Sequence, residues 1–447
     1  MLAAIVGLAA ALRLGGLGAE SFWWDEVLTT YSAREPVTQV IKSVRNHENA
    51  PPLYFIVVNL WAKCFGMSDL SLRLPSALMG IATVALLWRV GKELFDNTIG
   101  LTDAALLAVS PIHIAYSQEA RMYALLVSLL TLNLWAVVRV MRSGSMRWQV
   151  AYVATAAMAL LTHTFAAFTL LTVNLFWLGR FMRRGQTGVT WRRWLTLNAA
   201  VLVLFGPWAP ATLEVARMGL PWLAKSTTWR EAVTGYSGIV LAWPMIGLSA
   251  LAITRAWRMR DDRVLLLILL ATVPVFGPIA YGQFTTRYGI AALIGWTMLA
   301  AYGASAVGRW MCIVLVAVAA ANWAMTSTLG HPRYVNYTPK ADVRGAIRFI
   351  SGRANPQNGV VAGSRGIWHV AEHYTQGTAF RVVDGMDALP STASDHVWLI
   401  EPAGPYRVIP GYDERSRLPL EGVIVRELWR REEPATTPSV PSTYPRN

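Results

Sequence analysis

Two carboxylates, Asp25 and Glu26, stand directly behind two tryptophans in "SFWWDEVLTTY" (21–31), just past a nearly uncharged apolar run. A carboxylate at the rim of an apolar span, shielded by Trp23 and Trp24, has the right chemistry for a general base that deprotonates a hydroxyl at a membrane surface. The plainer alternative is a solvated acid pair beside anchoring tryptophans. A second cluster, "SPIHIAYSQEARMYAL" (110–125), packs His113, Gln118, Glu119, Arg121 and Tyr123 between two apolar runs. Its plainer reading is a capped helix start with Glu119 near the positive end of the dipole. Arg73 in "SLRLPS" (71–76) and Arg287 with Tyr288 in "FTTRYG" (284–289) lie at the mouths of apolar runs. A guanidinium donates two parallel hydrogen bonds to phosphate, and its competing role at such a place is snorkelling. His163, in "LTHTF" (161–165), marks another junction, where packing and hydrogen bonding compete with substrate binding.

The sequence shows no metal constellation. His47 and Glu48 are near Asp25 in sequence, but no His-x3-His or cysteine pair supports zinc. Asp25 and Glu26 alone leave Mg2+ or Mn2+ open, and no other cofactor is called for. There is no glycine-rich phosphate loop of the Walker or dinucleotide type. Cys64 and Cys312 are the only cysteines, Cys64 outside a membrane span and Cys312 inside one, and are not expected to pair.

The elements that must carry these groups are membrane helices. Of the 447 residues 54% are hydrophobic, and the mean hydropathy is +0.38. Apolar stretches fall at 1–17, 51–66, 74–92, 99–116, 121–141, 147–162, 164–181, 195–213, 236–256, 263–282, 287–307 and 310–328. About 20 apolar residues cross a bilayer, so the chain reads as a polytopic α-helical membrane protein. The period-2 pattern of a barrel is missing over the first 330 residues. The first stretch carries Arg13 and lacks a small-residue cleavage site, so it is expected to be a retained, if short, span.

Charge sets the topology. The formal net charge is +14, and only five of the 40 basic residues, Lys42, Lys63, Lys92, Lys225 and Lys340, are lysines. The arginines crowd short loops between spans, the mark of cytoplasmic loops, and no basic face interleaved with aromatics points to nucleic acid. The stretch 51–66 is the weakest, with two prolines and Lys63. Laid in the interface, with the N-terminus inside, it leaves eleven spans. Arg139, Arg142, Arg147, Arg180, Arg183, Arg184, Arg192, Arg193, Arg255, Arg258, Arg260, Arg263 and Arg309 are then all expected to face the cytoplasm. The outer face collects the first loop, 18–73, the 116–123 turn, His163, loop 214–235, the 284–289 turn and everything after about 328.

Past 328 the composition changes. "KADVRGAIRFIS" (340–351) has helical period, while "GVVAG", "FRVVDG", "HVWLIEP" and "GVIVRELW" read as strands. The expected division is a catalytic membrane domain over 1–328, a small extracytoplasmic α/β domain over 329–433, and a disordered Pro/Ser/Thr-rich tail over 434–447.

In order along the chain, "WWDE", "NAPPLYF", "FGMSDLSLRLPSALMG", "LFDNTIGL" and "SPIHIAYSQEARMYAL" resemble the N-terminal half of GT-C glycosyltransferases. The resemblance covers about residues 10–180 and is strongest to the branch of protein O-mannosyltransferases and lipid A aminoarabinose transferases. It implies a GT-C helical bundle with interfacial helices in the first outer loop. It also implies a polyprenyl-phosphate-linked sugar donor, a lipid, glycan or protein acceptor, and inversion at the anomeric carbon. The active site is then on the extracytoplasmic face of the plasma (inner) membrane. By position Asp25 is the base, Glu26 assists or orients it, and Gln118, Glu119, Arg121 and Tyr123 are the polar groups of the second outer loop. Arg287 is placed to meet the donor phosphate, with Tyr288 beside it and His163 as a further binding residue. Some members carry a lysine near the "PP" site; here Asn49-Ala50 stands there, which passes that contact to Arg45 or Arg73.

Two rivals remain open on residues alone. One is a ligase or polymerase joining lipid-borne glycans on the outer face; the other is a lipid-linked glycan flippase without catalysis. Transporters place ionisable groups near mid-membrane and carry repeats or broken helices, whereas most charges here sit at span ends and no repeat shows. The topology is directly checkable. Reporter fusions at residues 70 and 145 are expected to report opposite sides of the membrane, and the same side for both would refute it.

Overall fold

The structure is a computed structural model that describes residues 1–47, 50–184, 187–218, 243–280, 285–328, 340–354, 358–376, 378, 381–385, 395–404 and 408–431. The tail 434–447, most of loop 214–235 and Asn49 lie outside the described residues. The chain forms two compact units, Met1–Ala19 with Leu28–Thr338, and Glu20–Val27 with Pro339–Asn447. The octapeptide that carries Asp25 and Glu26 thus clusters with the C-terminal unit, which the sequence reading had placed with the first loop.

The described helices are α1 (Leu2–Leu14), α2 (Trp24–Arg34), α3 (Val40–His47), α4 (Leu53–Phe65), α5 (Asp69–Leu94), α6 (Asn97–Ala108), α7 (Pro111–Ser117), α8 (Tyr123–Ser143), α9 (Met146–Leu160) and α10 (Ala166–Arg184). They continue as α11 (Trp191–Phe205), α12 (Ala209–Met218), α13 (Trp243–Met259), α14 (Arg263–Ala280), α15 (Leu293–Val307), α16 (Arg309–Thr328), α17 (Val343–Ser351) and α18 (Arg365–Tyr374). Every apolar stretch read from the sequence carries helix where it is described, with breaks such as Val109–Ser110 inside 99–116. Among the described residues five helical runs are long and apolar enough to cross a membrane: α5, α8, Trp191–Arg217, α14 and Thr286–Val307. The pair α6 and α7, bent by 62°, makes a sixth if it counts as one span, and α1, α4 and Arg309–Ala324 are shorter apolar helices. At 1.5 Å per residue the 13 residues of α4 rise only about 20 Å, against roughly 30 Å of hydrocarbon, in keeping with an interfacial position; α1 is equally short.

Local chemistry sets the helix starts. Ser68 Oγ accepts the Ser71 N–H at the head of α5. Asp96 accepts the N–H groups of Thr98 and Ile99 at 2.7 and 2.9 Å at the head of α6. Both are N-caps that satisfy otherwise orphaned donors, so "SDLS" and "FDNTIG" owe their residue types here to capping. Between these helices Gly91 and Gly100 face each other. A Cβ on Gly91 would stand 2.8 Å from Gly100 Cα, and one on Gly100 would stand 2.5 Å from the Trp88 carbonyl.

The break between α6 and α7 strands carbonyls that lipid cannot satisfy. Arg13 satisfies them from α1: Nη1 donates to Ala108 O and Nη2 to Leu107 O, each at 3.0 Å. Nη2 also lies 2.8 Å from His113 Nδ1. Arginine has only donors, so Nδ1 accepts and the ring proton is on Nε2. In return Gln118 Nε2 donates to Leu12 O and Gly15 O at the end of α1, at 3.2 and 2.9 Å. Gly80 on α5 permits this packing, because a Cβ there would stand 2.2 Å from Ser117 Oγ.

The second unit holds a five-stranded sheet of order β2-β1-β3-β5-β4, from β1 (Gly359–Ala362), β2 (Val382–Asp384), β3 (His396–Pro402), β4 (Tyr412–Leu420) and β5 (Val423–Arg430). β1 runs parallel to β2 and β3, with α18 as the crossover from β1 to β2, while β5 runs antiparallel to both β3 and β4. Val361, Val397, Leu399, Ile409, Tyr412 and Leu428 form a buried cluster. Within the sheet the buried Arg426 ties Glu401 of β3 and Glu414 of β4 to β5. A register shift at Glu414/Ser416 interrupts the β4 ladder.

The glycine contact yields a prediction. Gly100→Val is expected to destabilise the bundle by about 1–3 kcal/mol through overpacking, read as a lowered melting temperature of the detergent-solubilised protein. An unchanged midpoint would show that α5 and α6 can move apart freely.

Candidate active site

The two acids that open the first loop have different surroundings. Trp23 caps α2, and Glu26, three positions on, reaches back with Oε2 to the Trp23 N–H at 3.4 Å, half of a capping box. The same Oε2 lies 3.0 Å from Lys340 Nζ, and the two side chains are 0% and 6% exposed. Glu26 is therefore the anion of a buried ion pair. Asp25 occupies the first turn of the same helix and stays half-buried.

The octapeptide is anchored throughout within its unit. Ser21 Oγ donates to Asp342 Oδ1 at 3.1 Å and accepts the Arg344 N–H at 3.0 Å, while Asp342 caps α17 through the Gly345 N–H. The Phe22 N–H donates to Tyr374 Oη at 2.7 Å, and the Phe22 ring stands edge-on to His373. Trp24 packs on His369 with ring centroids 3.9 Å apart. Burial first, and then the charge of Arg365, hold the His369 imidazole below its ordinary value. Lys340, Asp342, His369 and Tyr374 are neighbours of the octapeptide that the sequence did not single out, since each lies more than 300 residues from its partner.

The bundle gathers most of the other candidates. His163 is the hub: its ring is 5.9 Å from Tyr123 and 5.4 Å from Tyr288. Burial, then the charges of Arg287 and Arg121, push its imidazole down to about 3, so it stays neutral at physiological pH. That depression makes its contribution to stability complete above about pH 6.5, and the contribution is lost as the pH falls toward 3. The Arg287 guanidinium lies 5.6 Å from the Tyr288 ring centroid, and both residues are half-buried in the 3-10 turn Thr286–Ala292. Arg121 Nη1 donates to Thr29 Oγ1 at 3.2 Å, and its charge lies 5.8 Å from the Phe55 ring. Ser76 on α5 holds the Arg121 carbonyl and is itself paired with Tyr54 at 2.9 Å. Glu119 is buried.

Arg73 and Gln118 are engaged with backbone. Arg73 is 1% exposed and donates to Leu17 O at 3.1 Å, and Gln118 closes α1 as described. Arg45 forms an exposed pair with Glu214 at 3.1 Å. Among the described residues no group of three or more His, Cys, Asp or Glu gathers to hold a metal ion. A dication shared by Asp25 and Glu26 would meet the Lys340 ammonium on Glu26, so this acid pair does not fit one.

The family of dolichyl-phosphate-mannose-protein mannosyltransferases matches residues 49–210. The putative mannosyltransferase YkcB of Bacillus subtilis is 25% identical over 252 residues, which is 53% of this chain and 34% of that protein. The chain thus spans about a third of the curated relative it matches. In structure it resembles ArnT from Cupriavidus metallidurans in the apo state, at a TM-score of 0.63 and 14% identity over 95% of this chain and 97% of that one. ArnT bound to undecaprenyl phosphate gives 0.60 at the same identity and coverage. The chain thus shares the fold of these ArnT structures, helical bundle and C-terminal sheet unit included, and its residues 49–210 resemble the mannosyltransferase family.

The ion pair gives a double test. Lys340→Met alone leaves a buried carboxylate without its counter-charge and is expected to cost about 3–5 kcal/mol. Adding Glu26→Gln is expected to restore most of that stability, as measured by thermal unfolding of the full chain. Equal midpoints for wild type and the single variant would remove the pair from any structural role.

Proposed function

We propose that the chain transfers a sugar from a polyprenyl-phosphate-linked donor to a hydroxyl acceptor on the extracytoplasmic face, with inversion and with Asp25 as general base. The observation that carries this reading is the position of the acid pair. The half-buried Asp25 rides on the first turn of α2, which the buried Glu26–Lys340 pair and the Glu26 contact to the Trp23 N–H hold in place. The ArnT structure with undecaprenyl phosphate supports a lipid phosphate as the donor's carrier.

In the proposed reaction Asp25 takes the acceptor hydroxyl proton as the oxygen attacks the anomeric carbon from the face opposite the phosphate. The new C–O bond forms as the bond from the anomeric carbon to the phosphate oxygen breaks, and the lipid phosphate leaves with the electron pair. Positive charge spreads over the sugar ring in an oxocarbenium-like transition state. Arginine suits the charge growing on the leaving phosphate, and Arg287 serves that role better than Arg73, whose side chain is buried against the Leu17 carbonyl. Neutral His163 and Tyr288 are left as hydrogen-bonding groups beside it. Glu26 and Lys340 act on position, by fixing the turn on which Asp25 rides.

Turnover of a panel of labelled polyprenyl-phosphate sugars in nanodiscs, with crude lipid and protein as acceptors, tests the reading. Asp25→Asn is expected to abolish transfer, by at least about 100-fold for loss of a general base, while leaving membrane insertion intact. Full activity in that variant would end the proposal.

A further inference from the structure

At the far end of the bundle from His163 and Arg287 lies a cavity of about 470 Å3. The helices themselves show the distance: α5 and α8 run from Arg73 and Tyr123 to the cavity residues Leu94 and Arg142. At 1.5 Å per residue the 21 residues of α8 span about 30 Å. Four arginines, Arg142, Arg180, Arg260 and Arg263, line the cavity, with Asp261 and Asp262 as its carboxylates. Apolar wall comes from Leu94, Val138, Met141 and Phe176.

Three of the four arginines are spoken for. Arg263 grips Asp261 through Nε and Nη2, each at 2.7 Å, and donates to Leu94 O. Arg180 Nε is 3.5 Å from Asp262 Oδ2. Arg142 reaches the Glu93 carboxylate and carbonyl. Arg260 is exposed, and among the described residues nothing meets its guanidinium. Even with Glu93 counted, the guanidiniums outnumber the carboxylates.

Arg260 also has an unusual backbone. It is the one non-glycine residue with positive φ among those described, at 52°. It closes α13 in a Schellman arrangement: the Asp261 N–H bonds Ala256 O at 2.9 Å and the Arg260 N–H bonds Trp257 O at 3.3 Å. Glycine takes that left-handed position with least strain. An arginine kept there, aimed at a basic cavity, is strain held at a place that can use the side chain.

We infer that this cavity binds the phosphate of an anionic membrane lipid, with Arg260 on the phosphate and the apolar wall against the chains. The arginine-rich loops mark this end as cytoplasmic by charge, and that leaflet carries anionic lipid that basic pockets between helices recognise. The inference does not depend on the sugar-transfer reading.

Native mass spectrometry of the full chain, offered phosphatidylglycerol or phosphatidylcholine, tests it. The wild type is expected to retain one phosphatidylglycerol and to discriminate against phosphatidylcholine. Arg260→Gly is expected to lower that retention about tenfold, with a melting temperature in lipid-free detergent equal to or above wild type, since glycine relieves the φ. Arg260→Gln, which keeps the strain, is expected to lose the lipid equally. Undiminished retention in both variants, or equal retention of the two lipids, overturns the inference. Inorganic phosphate that binds as tightly as phosphatidylglycerol overturns the lipid assignment in favour of a free phosphate site.

Discussion

A helix that breaks inside a membrane cannot hand its loose carbonyls to water, and Arg13 is what makes the break between α6 and α7 tolerable. Much of this end of the bundle follows from that one guanidinium. With the C-terminus of α6 capped, α7 can leave at a steep angle and deliver the "SQEARMY" turn to the mouth of the bundle. Gln118 then closes the end of α1, so each helix supplies what the other lacks. Gly80 must stay bare for α5 to approach this joint. From there Arg121, Tyr123 and His163 fall within reach of one another.

The positions of helices were legible because apolar runs of bilayer length are among the strongest signals a sequence carries. Starts such as Ser68 and Asp96 were legible as motif residues, although their capping role appears only with the hydrogen bonds in view. The strand pattern after residue 340 was also readable, since turn residues separate short β-branched runs. What the sequence could not give was the partner of each polar group. Arg13 reads as an oddity in an apolar run, and only its distance from Leu107 and Ala108 explains it.

The candidate site shows the same limit. Asp25 and Glu26 are adjacent and chemically alike, so spacing alone assigns both to one task. The ion pair with Lys340 separates them, and Lys340 is one of five lysines, over 300 residues away, with no motif around it. Arg73 and Gln118 were picked for their hydrogen-bonding capacity, which the structure shows spent on backbone carbonyls. A donor-rich side chain at the end of a helix serves a stranded carbonyl as readily as a phosphate, and residue type does not distinguish the two.

One edge strand of the C-terminal sheet has one more consequence. β4 carries Asp413, Glu414, Arg415, Arg417 and Pro419, is mostly exposed, and breaks its ladder at Glu414/Ser416. Charges, a proline and a bulge along an edge all discourage a second strand from adding to it. Copies of a membrane protein are confined to a plane, where neighbours meet far more often than in free solution. An edge blunted in this way keeps crowded copies from zipping together sheet to sheet, and so keeps the turn that bears Asp25 in a unit that remains its own.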